Sequence, residues 1–410
     1  MESENMRVGQ AEYLQVRAMV SGGLDPMKNY DEEMVAQLID EVIDRPQFTH
    51  LSVDRKLGIR RRIFNDIKKL DILQELIDDD DITEIMVNGY RNIFIEKAGR
   101  LLKWDGEFES REALLDVVQR IAARSNKIIN ETVPIVDTRL DNGSRVNIVM
   151  NPVAIDGPII TIRKFYEVPL SIDKMIEIGS ISNEAATFLE SLVCAKYNIF
   201  ISGGTGSGKT TFLNAMSNYI PLDERVITIE DSAELRLNKI ENLVRLEARN
   251  ANVEGKNAVS IHDLIRSALR MRPDRIVVGE CRGMEALDML QAMNTGHDGS
   301  LSTGHANGPK EMLMRLETMV LEAADLPVSA IRSQIASAID IIVHLGRLRD
   351  RSRKVLSISE VAGIKDGEII LNPLYEFKEE RADEKGRIVG ALKGSSERLI
   401  HKEKLRNAGF

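Results

Sequence analysis

The run Gly203, Gly204, Thr205, Gly206, Ser207, Gly208, Lys209, Thr210 and Thr211 follows directly on the apolar stretch NIFIS. It fits GxxxxGK[ST], the pattern of a loop that cradles phosphates between a strand and a helix. Glycines let successive backbone N–H groups turn into one concavity, and the helix N-terminus adds the positive end of its dipole. Lys209 is placed to reach β- and γ-phosphates, the Thr210 hydroxyl to bind Mg²⁺, and Thr211 to contact the α-phosphate. These residues predict a nucleoside triphosphate as ligand.

Such loops serve many chemistries, so the surrounding carboxylates and histidines must discriminate. The stretch ITIEDSAEL reads as a strand ending in Glu230, Asp231 and Glu234, carboxylates able to orient and polarise a water. Its plainer alternative is an acidic helix start favoured by the dipole. In SIHDLIRSALRMRPDRIVVGECRG, Ser260 caps a helix with an apolar face at Ile261, Leu264, Ile265, Ala268 and Leu269, and Pro273 closes it. Arg275 to Gly279 then form a buried strand that delivers Glu280 at its carboxyl end, where α/β sheets place ligands. This is a Walker B pattern with Gly279 at the usual aspartate position, so Mg²⁺ would be held by Thr210, the phosphates and water, with Glu280 beside them. In NTGHDGSLSTGHANGP the spacing of His297 and His305 is poor for zinc. His305 reads either as a structural residue or as a donor to the γ-phosphate that senses hydrolysis.

Elements must position these residues. Residues 1–68 carry helical spacing at Met34, Leu38, Val42 and Ile43. Residues 69–170 alternate hairpins with helices, as a small α+β domain does. Residues 171–182 lie in the patternless stretch FYEVPLSIDKMIEIGSIS and read as a linker, with a hinge near 166–180. Residues 183–410 begin with apolar strands alternating with helices, the pattern of a largely parallel sheet, and continue from about 371 into a strand-like extension. The acidic run Asp78 to Asp81 reads as a solvated helix end rather than a metal site.

A chain of 410 residues, 43% hydrophobic and 29% charged, is of ordinary globular composition and long enough for two or three domains. Its net charge of −9 argues against broad nucleic-acid binding. Cys194 and Cys281, far apart, suggest a reducing compartment and no disulfide framework. Neither a signal peptide nor an apolar run of membrane-spanning length is visible, so the expectation is a cytoplasmic protein without direct membrane insertion.

Taken in order, GGTGSGKTT, ITIEDSAEL, RPDRIVVGECRGMEA and TGHDGSLSTGHANG resemble the Walker A, Asp box, atypical Walker B and His box of the type II/IV secretion ATPase superfamily. The stretches DITEIMVNGYRNIFIEKAGRL, DTRLDNGSRVNIV, TIRKF and YEFKEERADEKGRIVGALKGSSERL look like the CpaF-like branch of tight-adherence (Flp) pilus assembly ATPases. The resemblance implies an α/β fold, a RecA-like P-loop ATPase domain with a C-terminal extension, preceded by a PAS-like α+β domain and the N-terminal helical region. It implies ATP and Mg²⁺ as cofactors, a homo-hexameric ring, an inner-membrane platform protein as partner, and a place at the inner face of the cytoplasmic membrane. By resemblance Glu234 is the general base, with Glu230 as the alternative; Glu280 is the Walker B glutamate, and His305 is the sensor supported by His297. Arg139, Arg145 and Arg163 match the arginines that neutralise the transferring phosphoryl group. Two other readings stay open, a nucleic-acid motor and a nucleotide-gated scaffold without turnover. No LSGGQ-like or NKxD motif supports an ABC subunit or a GTPase.

Overall fold

The computed structural model describes residues 2–410 apart from 26, 27, 29, 98, 165–169, 250–255 and 385, with residues 2–10 described by their backbone alone. The chain divides into two compact units, Met1–Tyr166 and Glu167–Phe410.

The first unit opens with α1 (Glu2–Gly23), α2 (Glu32–Ile43) and α3 (Val53–Lys68). Asp31 and Ser52 cap α2 and α3 by accepting the backbone N–H groups of Met34 and Arg55. The buried face of α2 is Val35, Ile39, Val42 and Ile43, whereas Met34 is exposed. The sequence expectation was therefore one position out of phase at its start. There follow α4 (Leu73–Asp78), β1 (Ile82–Asn88), β2 (Asn92–Lys97), β3 (Arg100–Trp104), α5 (Arg111–Arg124), β4 (Ile135–Arg139), β5 (Arg145–Val149) and β6 (Ile159–Arg163). The strands form an antiparallel sheet ordered β3-β2-β1-β6-β5-β4. Strands β5 and β6 alternate buried with less buried positions, and Val146, Ile148, Ile160 and Ile162 share a core with Leu114, Val117 and Ile121 of α5. One face of the sheet is thereby left for polar residues. Around Asp78–Asp81, Asp79 and Asp81 are held by Lys97, and no group of three or more metal-ligating side chains occurs among the described residues.

The second unit contains α6 (Ile172–Glu177), α7 (Asn183–Cys194), β7 (Ile199–Gly203), α8 (Lys209–Ser217), β8 (Val226–Glu230), β9 (Leu243–Glu247), α9 (Ile261–Ala268), β10 (Arg275–Val278), α10 (Glu285–Asn294), β11 (Leu301–His305), α11 (Pro309–Ala323), α12 (Val328–Ala338), β12 (Ile341–Arg347), β13 (Arg353–Lys365), β14 (Glu368–Ala382), β15 (Ile388–Gly394) and α13 (Glu403–Asn407). Its nine-stranded sheet runs β15-β14-β13-β12-β7-β11-β10-β8-β9. The six strands from β12 to β9 are parallel, and the extension through β15 is antiparallel. Every residue of β7, β8 and β10 is buried, as expected for parallel strands covered on both faces. Ile199 and Ile201 join a core with Leu189 of α7 and Phe212 of α8; Phe200 turns the other way, into a core with Ile265, Met289, Leu316 and Ile335 of α9 to α12.

Residues 171–182, read as a linker, hold the short helix α6, and Ile172, Met175 and Ile181 are buried in the core of the second unit. The first part of the expected hinge, 166–169, lies outside the described residues. Both cysteines are free thiols. Among the described residues no helix is long and apolar enough to cross a membrane.

Candidate active site

The phosphate loop leaves the sheet at the carboxyl end of β7, where open α/β sheets form their binding crevice. Gly203 is in register with His305 of β11 on one side and Leu345 of β12 on the other. A Cβ at Gly203 would come 2.5 Å from the Leu345 carbonyl oxygen and 2.6 Å from Ser207 Oγ, so the position demands glycine. Gly206 and Gly208 have φ of 69° and 93°, the left-handed region that turns the chain back into α8. Lys209 is 7% exposed, and its ammonium donates to the carbonyl oxygens of Gly203 and Gly204, both at 3.1 Å. The cation therefore lies folded over the loop whose phosphate it is suited to meet. Thr210 and Thr211 follow in the first turn of α8, and Thr205 lies in the turn with Gly204 and Gly206.

Two carboxylates approach from neighbouring strands. Glu230 ends β8 and is only 3% exposed; its Oε2 accepts the N–H of Glu234 at 2.7 Å and of Leu235 at 3.0 Å. Leu235 is itself buried, so the turn bearing Glu234 is pinned at two points. Glu230 Oε1 is buried with no hydrogen-bond partner among the described residues. Burial pushes this carboxyl up to about 7, against the pull of the two N–H bonds. The glycine found where an aspartate was expected now has a reason. A Cβ on Gly279 would come 2.9 Å from Glu230 Cγ, so Glu230, from the adjacent strand, occupies the space such a side chain would need.

Glu280 follows Gly279 and faces two partners. His305 Nδ1 lies against its Oε1, while Arg282 donates to its Oε2 from Nε at 2.9 Å and from Nη2 at 2.7 Å. Arg282 Nη1 also reaches Asp231 Oδ2 at 3.5 Å, so one guanidinium joins the two acidic motifs. Desolvation holds His305 below its ordinary value; Lys209 and Arg282 act in the same direction, and Glu280 opposes them. The imidazole is accordingly neutral at pH 7, with one nitrogen to donate and one to accept.

Residues 66–392 match the family model described as Type II/IV secretion system protein. The chain belongs to this family. A candidate conjugal transfer protein of Mycobacterium tuberculosis is 35% identical over 70% of this chain and 83% of its own length. The type IV secretion system protein PtlH of Bordetella pertussis is 34% identical over 65% of this chain and 86% of its own. Among solved structures, the ATPase DotB of Legionella pneumophila superposes with a TM-score of 0.51 at 26% identity, covering 69% of this chain and 78% of that one. The fold class is thus α/β, with a RecA-like P-loop domain preceded by a smaller α+β domain, as the sequence implied.

In this type II/IV secretion system protein the phosphate loop, Glu230, Glu234, Glu280 and His305 gather at the carboxyl ends of β7, β8, β10 and β11. His297 does not join them. It precedes β11, at the opposite end of the strand from His305, and its Nδ1 lies 3.3 Å from the Ala292 carbonyl oxygen at the end of α10. Within the first unit Arg139, Arg145 and Arg163 are direct cross-strand neighbours, Arg139 opposite Arg145 and Arg145 opposite Arg163. Register places all three on the face turned away from the α5 core. Glu84 of β1 is opposite Arg163, at 4.0 Å.

Two functional candidates escaped the sequence reading. Arg282 had a weak signal, a cation just past the strand that ends in Glu280. Arg353, whose Nε donates to the Gly206 carbonyl oxygen at 2.9 Å, had none, because β13 reaches the loop only through the fold.

Proposed function

We propose that the protein is an ATP-hydrolysing motor of a secretion or type IV pilus machine, working as a homo-hexamer against an inner-membrane platform protein at the cytoplasmic face. The observation that carries this reading is the convergence of a phosphate loop with Glu234, Glu280 and His305 at neighbouring strand ends. Backbone N–H groups of Gly206 to Thr210 and the ammonium of Lys209 bind the phosphates, which requires that ammonium to leave the carbonyls of Gly203 and Gly204. Magnesium, carried with ATP, supplies charge neutralisation; the Thr210 hydroxyl and, through water, Glu280 would hold it.

Glu234 is the general base in this reading. Glu230 is only 3% exposed and spends one oxygen on the N–H groups of Glu234 and Leu235, so it fixes the turn that carries Glu234 rather than meeting a water. Glu280, held by Arg282 and His305, orients the attacking water. His305 sits in register with Gly203 in the β7–β11 pair, beside the loop, and so can register the loss of the γ-phosphate. Arg139, Arg145 and Arg163 set a row of guanidinium groups on one face of the sheet, with Glu84 beside Arg163. Such a row suits the oxygens of a transferring phosphoryl group.

Relatives named for conjugal transfer and type IV secretion support the secretion side of the proposal, and the tight-adherence-like N-terminal and tail segments support a Flp-type pilus. The test is phosphate release by the purified chain with ATP and magnesium. Turnover is expected, and Lys209→Ala, which removes the cation while leaving the loop glycines, should abolish it with far-UV circular dichroism unchanged. Near-normal turnover in that variant would overturn the assignment.

A further inference from the structure

A second polar cavity lies in the first unit, far along the chain from the phosphate loop. It has a volume of about 370 Å³ and is lined by Arg62, Asn65, Asp71, Glu75, Trp104 and Glu107, together with Ile72 and Gly106. That volume is at the lower end of the range for ligand pockets, roughly 300 to 1,000 Å³.

Three carboxylates and one guanidinium line the cavity. The cations that act on Asp71 are Arg120, Arg17 and Arg62, and each makes its direct contact with another group. Arg62 lies 4.2 Å over the Tyr13 ring, Arg17 pairs with Asp66 at 2.6 Å, and Arg120 donates to the Asp66 and Lys69 carbonyl oxygens. Asp71 is 8% exposed, and its carboxylate has no hydrogen-bond or ion-pair partner among the described residues. Burial, with Asp66 adding to it, pushes this carboxyl up to about 6 against the pull of Arg120, Arg17 and Arg62. A buried carboxylate without a partner is costly and is satisfied by an incoming cation. Glu75 and Glu107 stand exposed at the rim, Glu75 in a surface pair with Arg61 at 3.4 Å. The half-buried Trp104 ring supplies the flat apolar wall on which a guanidinium or an alkyl-ammonium stem rests.

We propose that this cavity receives a lysine or arginine side chain from a basic segment of a partner protein, with Asp71 as its counter-charge and Trp104 as its stacking surface. The site is independent of the nucleotide chemistry, since no residue of the phosphate loop or its carboxylates takes part.

Trp104 is the only tryptophan in the chain, so intrinsic fluorescence reports on the cavity directly. The full chain is titrated, without nucleotide, with a short end-blocked peptide carrying arginines spaced by glycine and serine. Its lysine and citrulline counterparts and free spermidine serve as comparisons. The arginine and lysine peptides should give a saturable change and the citrulline peptide none. Asp71→Asn should weaken binding about tenfold or more, the order a hydrogen bond to a charged group contributes. Asparagine also tolerates the left-handed backbone of Asp71, φ 51°, so that variant should keep its fold. Glu107→Gln, at the exposed rim, should weaken binding in the same direction by less. Absence of a saturable change, or wild-type affinity in a folded Asp71→Asn variant, overturns the proposal. So does a response to spermidine alone, which would mark a site for free polyamines.

Discussion

At the scale of the residue, the two glutamates of the Asp box differ in environment although they are four positions apart. Glu230 is buried and spends one oxygen on the Glu234 and Leu235 N–H groups, whereas Glu234 is carried on the turn those bonds hold. If Glu234 is the base, Glu234→Gln should slow hydrolysis by about a hundredfold or more, the lower range of general-base catalysis, with ATP binding retained. Glu230→Gln keeps the acceptor oxygen and should lose less than about tenfold, well short of a missing base. The reverse ranking would make Glu230 the base. Stability offers an independent reading of the same carboxyl. Burial pushes its folded form up to about 7 against 4.5 for a free carboxyl, so the folded state holds the proton more tightly. The stability gained is complete below the unfolded value and is lost as pH rises through about 7. Thermal melts of wild type and Glu230→Gln should therefore diverge in favour of the variant between about pH 5 and pH 8. A constant difference would show that the carboxyl titrates normally.

At the scale of the element, Gly279 and Glu230 show how adjacent parallel strands divide the room at their carboxyl ends. Gly279→Ala should destabilise the second unit by about 1–3 kcal/mol, the usual cost of overpacking. In a Glu230→Ala background, with Cγ gone, that cost should shrink, a coupling that a double-mutant cycle of melting curves measures. Additive costs would mean that the clash is relieved elsewhere. Much at this scale was legible beforehand. NIFIS, RVITIED and RIVVGE became buried parallel strands because continuous apolar runs fit a sheet covered on both faces, and GSLSTGH, with Leu301 its one large apolar residue, is buried between β7 and β10. What escaped depended on neighbours distant in sequence. The reason for Gly279 lies in β8, and Arg353 comes to the loop from β13. The helix α6 carries its own signals, the cap Ser171 and Ile172, Met175 and Ile176 at i, i+3, i+4, but six residues are too few to set such a period apart from chance. His297, which the resemblance gave as support for His305, is set at the opposite end of β11 from it.

At the scale of the whole molecule, the arginine row and the phosphate loop belong to different compact units. In the proposed ring their cooperation depends on assembly, and that dependence can be measured. Arg145 is the middle of the row, opposite both Arg139 and Arg163, so Arg145→Ala breaks it at the centre while the strand register survives. Charge supplied mainly to the transition state lowers kcat when it is removed and leaves nucleotide affinity largely in place. Turnover per subunit should also rise with protein concentration as rings form. Mixing Arg145→Ala with wild-type subunits then separates a coupled motor from independent enzymes. If each subunit's firing depends on its neighbours, activity plotted against mixing ratio falls below the straight line joining the two pure proteins. A strictly linear plot, with turnover independent of concentration and a monomer by light scattering, would leave an isolated ATPase and remove the ring from the proposal.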